Sequence, residues 1–187
     1  AGAAIAGPKS RDMLSKLYPD LDVSNDALPF MGYKEADFFG VPSRIFRISF
    51  SGELAYEINV KSDHGMFMWE KMMEVGKEFG NQPYGTEALS TLRIEMGHVA
   101  GPELDGRTIP SDVSLNGLVS KKKDFIGKNS LGREAFNVES RQKIVGLIPI
   151  DRKSSIPEGS HIVQDQNAKL PNPKLGHVSS SCWSVEN

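Results

Sequence analysis

The run SFSGELAYEINV, residues 49–60, constrains the fold of this chain more than any other stretch, because its apolar residues recur at every second position. Successive side chains of a strand point to opposite faces. Tyr56, Ile58 and Val60 therefore share one face, and Glu53, Ala55, Glu57 and Asn59 share the other. Such a strand is half buried in a sheet with one wet side. Two glutamates on that side admit two readings: an ordinary solvated outer face, which pattern alone favours, or a carboxylate aimed at a ligand.

The neighbouring segments supply the rest of a sheet and its helices. AAIAGP at the start reads as a short strand that turns through Gly7 and Pro8 into a helix carrying Met13, Leu14 and Leu17, which Pro19 ends. VSNDALPFMGY is rich in turn residues and reads as a connection. VPSRIFRISF and LAYEINV then form a hairpin closed by a short loop around Ser51 and Gly52. Ser62 or Asp63 caps a second helix whose buried stripe is Met66, Trp69, Met72 and Met73, with Gly80 past its end. Thr86 caps a third, with Ala88, Leu89, Leu92 and Met96 inward and Gly97 at its C-terminal end.

The order strand, helix, hairpin, helix, helix is not the alternation of a doubly wound parallel sheet, and no GxGxxG or GxxxxGK[ST] motif occurs. The expected fold class is α+β, a ferredoxin-like, split βαβ sheet with helices. After LDGRTIPSDVSL the texture changes to a short helix near NSLGREAF and then QKIVGLIPI, a Pro157-Glu158-Gly159 turn, SHIVQD and GHVSSSCWSV. Strands at that spacing predict the start of a small C-terminal β-barrel. The expected organisation is an α+β domain over 1–118, a connection over 119–139 and a partial barrel over 140–187. Too few strands are present to close a barrel, so the chain reads as a piece of a longer one.

Composition removes several functional classes. With 22 Lys and Arg against 24 Asp and Glu, the net charge of -2 provides no general attraction for nucleic acid or an anionic membrane. The run Lys121, Lys122, Lys123 is a local exception and reads as a solvated loop, with polyanion binding as the alternative. Cys182 is the single cysteine, so neither an internal disulfide nor a thiolate zinc cluster can form, and a reducing, cytoplasmic setting is expected. No apolar run approaches the roughly 20 residues that span a bilayer, and AGAAIAGPKS lacks the parts of a signal peptide.

The four histidines, His64, His98, His161 and His177, show no HxxxH or HExxH spacing, and no GxSxG occurs, so no metal site and no acyl-transfer nucleophile is expected. Acids and one arginine remain. Arg93, in STLRIEMGH, cannot pair with Glu95 two positions on. Its partner lies elsewhere, either a loop carbonyl or a planar carboxylate or heterocycle matched to its fork of donors.

AGPKSRDML, RISFSGELAYEINV, YGTEALSTLRIEMGHV, DGRTIPSDVSL and KKKDFIGKNSL, in this order and spacing, resemble the folate-binding aminomethyltransferase family, that of the glycine cleavage T-protein. LPFM, SFSGELAYE and YGTEAL resemble most its branch in the C-terminal region of the heterotetrameric sarcosine oxidase alpha subunit. This resemblance implies that tetrahydrofolate is bound and takes up the one-carbon unit released from sarcosine, giving 5,10-methylenetetrahydrofolate. It also implies FAD, FMN and NAD in the rest of the complex, with the other sarcosine oxidase subunits as partners.

By position, Glu57 matches the family's pterin-binding glutamate, Phe50 stands where relatives carry a pterin-contacting aromatic that is often Tyr, and Arg93 matches an arginine lining the folate site. Glu53, nearer the turn, is the lesser candidate, with a structural role. The family's catalytic aspartate precedes the first matching motif, so no catalytic residue is expected within these residues, and the chain alone is expected to be inactive. Two alternatives stay open: a non-catalytic assembly module of the same fold, to which Phe50 in place of Tyr lends itself, and an aminomethyltransferase proper.

Overall fold

In the computed structural model, which describes residues 1–184, the strand of the opening argument is β4, Ala55–Val60, and its alternation is satisfied. Tyr56, Ile58 and Val60 are buried, while Glu57 and Asn59 are half-buried on the opposite face. β4 lies between β1, Gly2–Ala6, and β3, Val41–Phe46. With β2, Tyr33–Phe38, they form a four-stranded sheet in the order β1-β4-β3-β2. Every neighbouring pair is antiparallel. The covered face is continuous in register: Ile5 stands opposite Tyr56, Ile58 opposite Ile45, and Phe38 opposite Val41.

Helix α1, Ser10–Leu17, lays Met13, Leu14 and Leu17 on this face as its spacing predicts. It stops before Pro19, where Tyr18 leaves the helical region at φ -135° and ψ 72°, as the residue preceding a proline is disfavoured in a helix. Tyr18 is buried and its hydroxyl meets Ser43 Oγ at 2.9 Å; burial pushes its pKa up to about 12. Helix α2, Gly65–Gly76, closes the core beside α1 with Met68 and Met72.

Several expectations are corrected. The sheet is not a split βαβ. The strand that follows α1 runs antiparallel to β1 at the far edge, because β2, β3 and β4 form a meander whose last strand takes the place beside β1. The expected β3–β4 hairpin forms, but its connection is not short, and the tight turn is the one that joins β2 to β3. Phe39 and Gly40 both have positive φ, 51° and 87°, as a two-residue turn between twisted strands requires, and Asp37 Oδ1 accepts the Gly40 N–H at 2.6 Å. β2 was hidden because YKEADF carries only two apolar residues beside Tyr33 and reads as polar.

The β3–β4 connection runs from 47 to 54, so Glu53 sits in a loop and not on the strand face of Glu57. On α2 the buried stripe is Met68, Met72 and Gly76, whereas Met66 and Trp69 are exposed. GMFMWEKMMEVG is apolar nearly all round, so its period cannot choose a face and the sheet does. On α3, Thr86–Met96, Arg93 is the buried residue; Leu89 and Leu92 are half-buried, and Ala88 and Met96 are exposed.

The chain forms two compact units, Ala1–Met96 and a second from Gly97. In the second, Asp112 is the main tether. It accepts Arg141 Nε at 3.0 Å, a further and closer contact from the same guanidinium, and the Ile109 N–H at 3.0 Å. The Arg141 hydrogen bonds hold the Asp112 carboxyl down at about 2. The backbone N–H of Ile144 donates to Asp112 O at 2.7 Å, so the segment after 140 is tied to Pro110–Val113.

The expected partial barrel reduces, among the described residues, to one antiparallel pair, β5, His161–Val163, with β6, Lys174–His177. QKIVGLIPI forms no strand, and Val145, Leu147, Ile148 and Ile150 stay exposed. The end of GHVSSSCWSV lies outside the described residues. The short helix near NSLGREAF is α4, Lys128–Leu131.

Candidate functional site

Glu57 occupies the middle of β4 on the uncovered face of the sheet. Its cross-strand neighbours on that face are Ala4 of β1 and Phe46 of β3. Directly opposite residues hold their Cβ atoms about 5 Å apart, so the carboxylate stands between a small residue and an aromatic one. Beyond Phe46, Tyr33 of β2 stacks on it with ring centroids 5.8 Å apart and planes 24° from parallel. On the other side Gly2 pairs with Asn59. The face therefore has a flat floor over β1 and an aromatic ridge over β3 and β2, with Glu57 between them.

Asn59, two residues on and hence on the same face, donates from Nδ2 to Glu57 Oε1 at 2.9 Å. Among the described residues this is the hydrogen bond that the Glu57 side chain makes. Arg44 lies opposite Asn59 on this face and pairs with Glu35 at 3.6 Å. The local chemistry is a half-buried carboxylate, oriented by a neutral donor and set between Ala4 and the Phe46 ring. That set suits a planar ligand offering adjacent N–H groups.

Phe50 and Glu53 are carried by the 47–54 loop, Phe50 at 43% exposure and Glu53 exposed. The loop is anchored at its end: the Gly7 N–H and Ser10 Oγ both donate to Leu54 O, at 2.9 and 2.7 Å. Gly52, with φ +87°, lets the loop close on α3, since a Cβ there would fall 2.7 Å from Met96 Cγ and Sδ. Met96 follows Arg93 by one helical turn, so the two share a side of α3. Arg93 itself is 6% exposed. Thus the loop of Phe50 and Glu53 meets the end of α3, and Glu57 leaves that loop along β4 with its side chain on the outer face.

Reading the sequence missed Phe46 as the neighbour of Glu57 and Tyr33 as the ring stacked on Phe46, because only register brings them there. It also attached no role to Asn59 or Gly2, although alternation had placed Asn59 on the face of Glu57. Among the described residues there is no group of His, Cys, Asp and Glu able to hold a metal ion, and no helix is long and apolar enough to cross a membrane.

The chain belongs to the family of the GCVT N-terminal domain, which residues 1–123 match. It is 43% identical over 185 residues to the sarcosine oxidase subunit alpha of Corynebacterium sp. (strain P-1), covering 97% of this chain and 19% of that protein. To the sarcosine oxidase subunit alpha of Rhizobium meliloti (strain 1021) it is 43% identical over 187 residues, covering 98% and 19%. To the aminomethyltransferase of Chloroherpeton thalassium it is 34% identical over 183 residues, covering 97% and 48%. The chain thus spans about a fifth of the sarcosine oxidase subunits that it matches. These relatives are enzymes or enzyme subunits by name.

Proposed function

We propose that this chain is a folate-binding region of a sarcosine oxidase alpha subunit, with Glu57 as the acceptor for the pterin ring of tetrahydrofolate. The observation that carries the reading is the placement of Glu57: a carboxylate on a strand's outer face, one oxygen held by Asn59 at 2.9 Å, between Ala4 and Phe46. An aminopterin presents an amino group and a ring N–H in parallel, and a carboxylate is the side chain that accepts both. Bound there, tetrahydrofolate supplies the nitrogens that take up a one-carbon unit as 5,10-methylenetetrahydrofolate. The chain's own residues bind and orient: Glu57 accepts, Phe50 lends an aromatic face from the loop, Arg93 borders the site from α3, and Glu53 shapes the loop.

In this reading the one-carbon unit comes from oxidation of sarcosine at a flavin elsewhere in the assembly, where FAD, FMN and NAD also reside. The other sarcosine oxidase subunits are the partners, and the cytoplasm is the setting. The first domain closes near residue 118 in this reading, past the end of the first compact unit at Met96 and close to the end of the family match at 123; a connection to 139 and a second domain from 140 follow. An aminomethyltransferase proper is the neighbouring reading within the family, and a lipoyl-protein partner would mark it.

Calorimetric titration of the protein with folinic acid, comparing wild type and Glu57→Gln, tests the proposal. Loss of a charge-assisted contact of about 1.5 to 3 kcal/mol corresponds to roughly tenfold to a hundredfold weaker binding. Equal affinities would remove Glu57 from the site. Absence of binding by both would favour the non-catalytic assembly module, for which Phe50, an aromatic without a hydroxyl, is the supporting residue.

A further inference from the structure

We infer that Asn59 is the positioning residue for Glu57 and that Gly2 exists at its place to make room for Asn59; this rests on the reading of Glu57 as the ligand's acceptor. A glutamate on an open sheet face has several rotamers, and holding it in one costs up to about 2 kcal/mol in lost freedom. Asn59 removes that freedom beforehand by donating Nδ2 to Oε1 at 2.9 Å. The amide orientation follows from chemistry, since an ionised carboxylate only accepts and the Asn59 carbonyl must turn away.

That carbonyl turns onto β1. A Cβ at Gly2 would lie 2.7 Å from Asn59 Oδ1 and 3.5 Å from its Cγ, with Glu57 Oε1 at 3.7 Å. Gly2 is not among the residues of positive φ, so backbone freedom does not require a glycine there; space does. Any side chain at position 2 pushes the Asn59 amide off its seat and releases Glu57. The donor is also neutral, so it sets direction without cancelling the charge that a ligand's N–H groups meet. Arg44, the cation opposite Asn59, pairs with Glu35 at 3.6 Å.

The test is calorimetric titration of folinic acid into wild type, Asn59→Ala, Gly2→Ala, Glu57→Gln and the Asn59→Ala/Glu57→Gln double variant. Gly2→Ala leaves Asn59 chemically intact and removes only its seat. Each of Asn59→Ala and Gly2→Ala is expected to weaken binding about threefold to tenfold with urea midpoints near that of wild type. Asn59→Ala should cost a smaller factor in the Glu57→Gln background, where a neutral amide replaces the carboxylate. Wild-type affinity in both single variants, or the same factor lost from Asn59→Ala in both backgrounds, overturns the positioning role and leaves Glu57 as acceptor. Unchanged binding by Glu57→Gln, or no binding by wild type, overturns the acceptor reading and the positioning role with it.

Discussion

Gly52 offers the sharpest test of how the loop that carries Phe50 and Glu53 is held. Its φ is +87°, and a Cβ there would stand 2.7 Å from Met96 Cγ and Sδ and 3.1 Å from Met96 Cβ. Gly52→Ala therefore carries two penalties of different origin. A left-handed backbone costs a residue with a Cβ about 1 to 2 kcal/mol. Displacing the Met96 side chain from its rotamer adds about 0.5 to 1.5 kcal/mol. The sum is about 1.5 to 3.5 kcal/mol, a large part of the stability of a unit this size.

The two penalties separate in a second background. Met96→Ala removes Cγ and Sδ and leaves only the 3.1 Å approach to Cβ, so Gly52→Ala made on top of it should cost the backbone part and little more, and the cycle should show a coupling of about 1 kcal/mol. Urea denaturation followed through Trp69, which sits on α2 of the same unit, supplies the numbers. Folinic acid binding should weaken in Gly52→Ala and partly return in the double variant as the loop settles back. A cost for Gly52→Ala that is the same in both backgrounds would refute the contact between the loop and α3.

Two further outcomes follow from buried groups. Tyr56 is fully buried and its hydroxyl makes no hydrogen bond among the described residues, so Tyr56→Phe should raise stability by about 1 kcal/mol, and a lowered urea midpoint would contradict this. Asp112 has its folded pKa depressed to about 2 from 3.8, chiefly by the Arg141 hydrogen bonds; its contribution is therefore complete above about pH 4 and lost as pH falls through about 2. Asp112→Asn should lower stability at neutral pH by about 1 to 2 kcal/mol and flatten the acid limb of the stability profile between pH 4 and 2. An unchanged acid limb would refute the tether.

The sequence by itself determined the elements that depend on local chemistry. The alternation of Tyr56, Ile58 and Val60 determined which face of β4 is covered, and the 3.6-residue spacing of Met13, Leu14 and Leu17 did the same for α1, because both periods are properties of one segment. Motif order also carried the family, which the match over residues 1–123 bears out. What the sequence left open was what needs a second segment. α2 is apolar on nearly every side, so only the sheet beneath it selects Met68 and Met72. Strand β2 is too polar to announce itself and is defined by its pairing with β3, which sets Tyr33 against Phe46, the residue that β3 places opposite Glu57. The glutamate was legible as a candidate; its neighbours were not, since cross-strand register is set by how the whole covered face packs, and Gly2 acquires its meaning only when Asn59 lies across it.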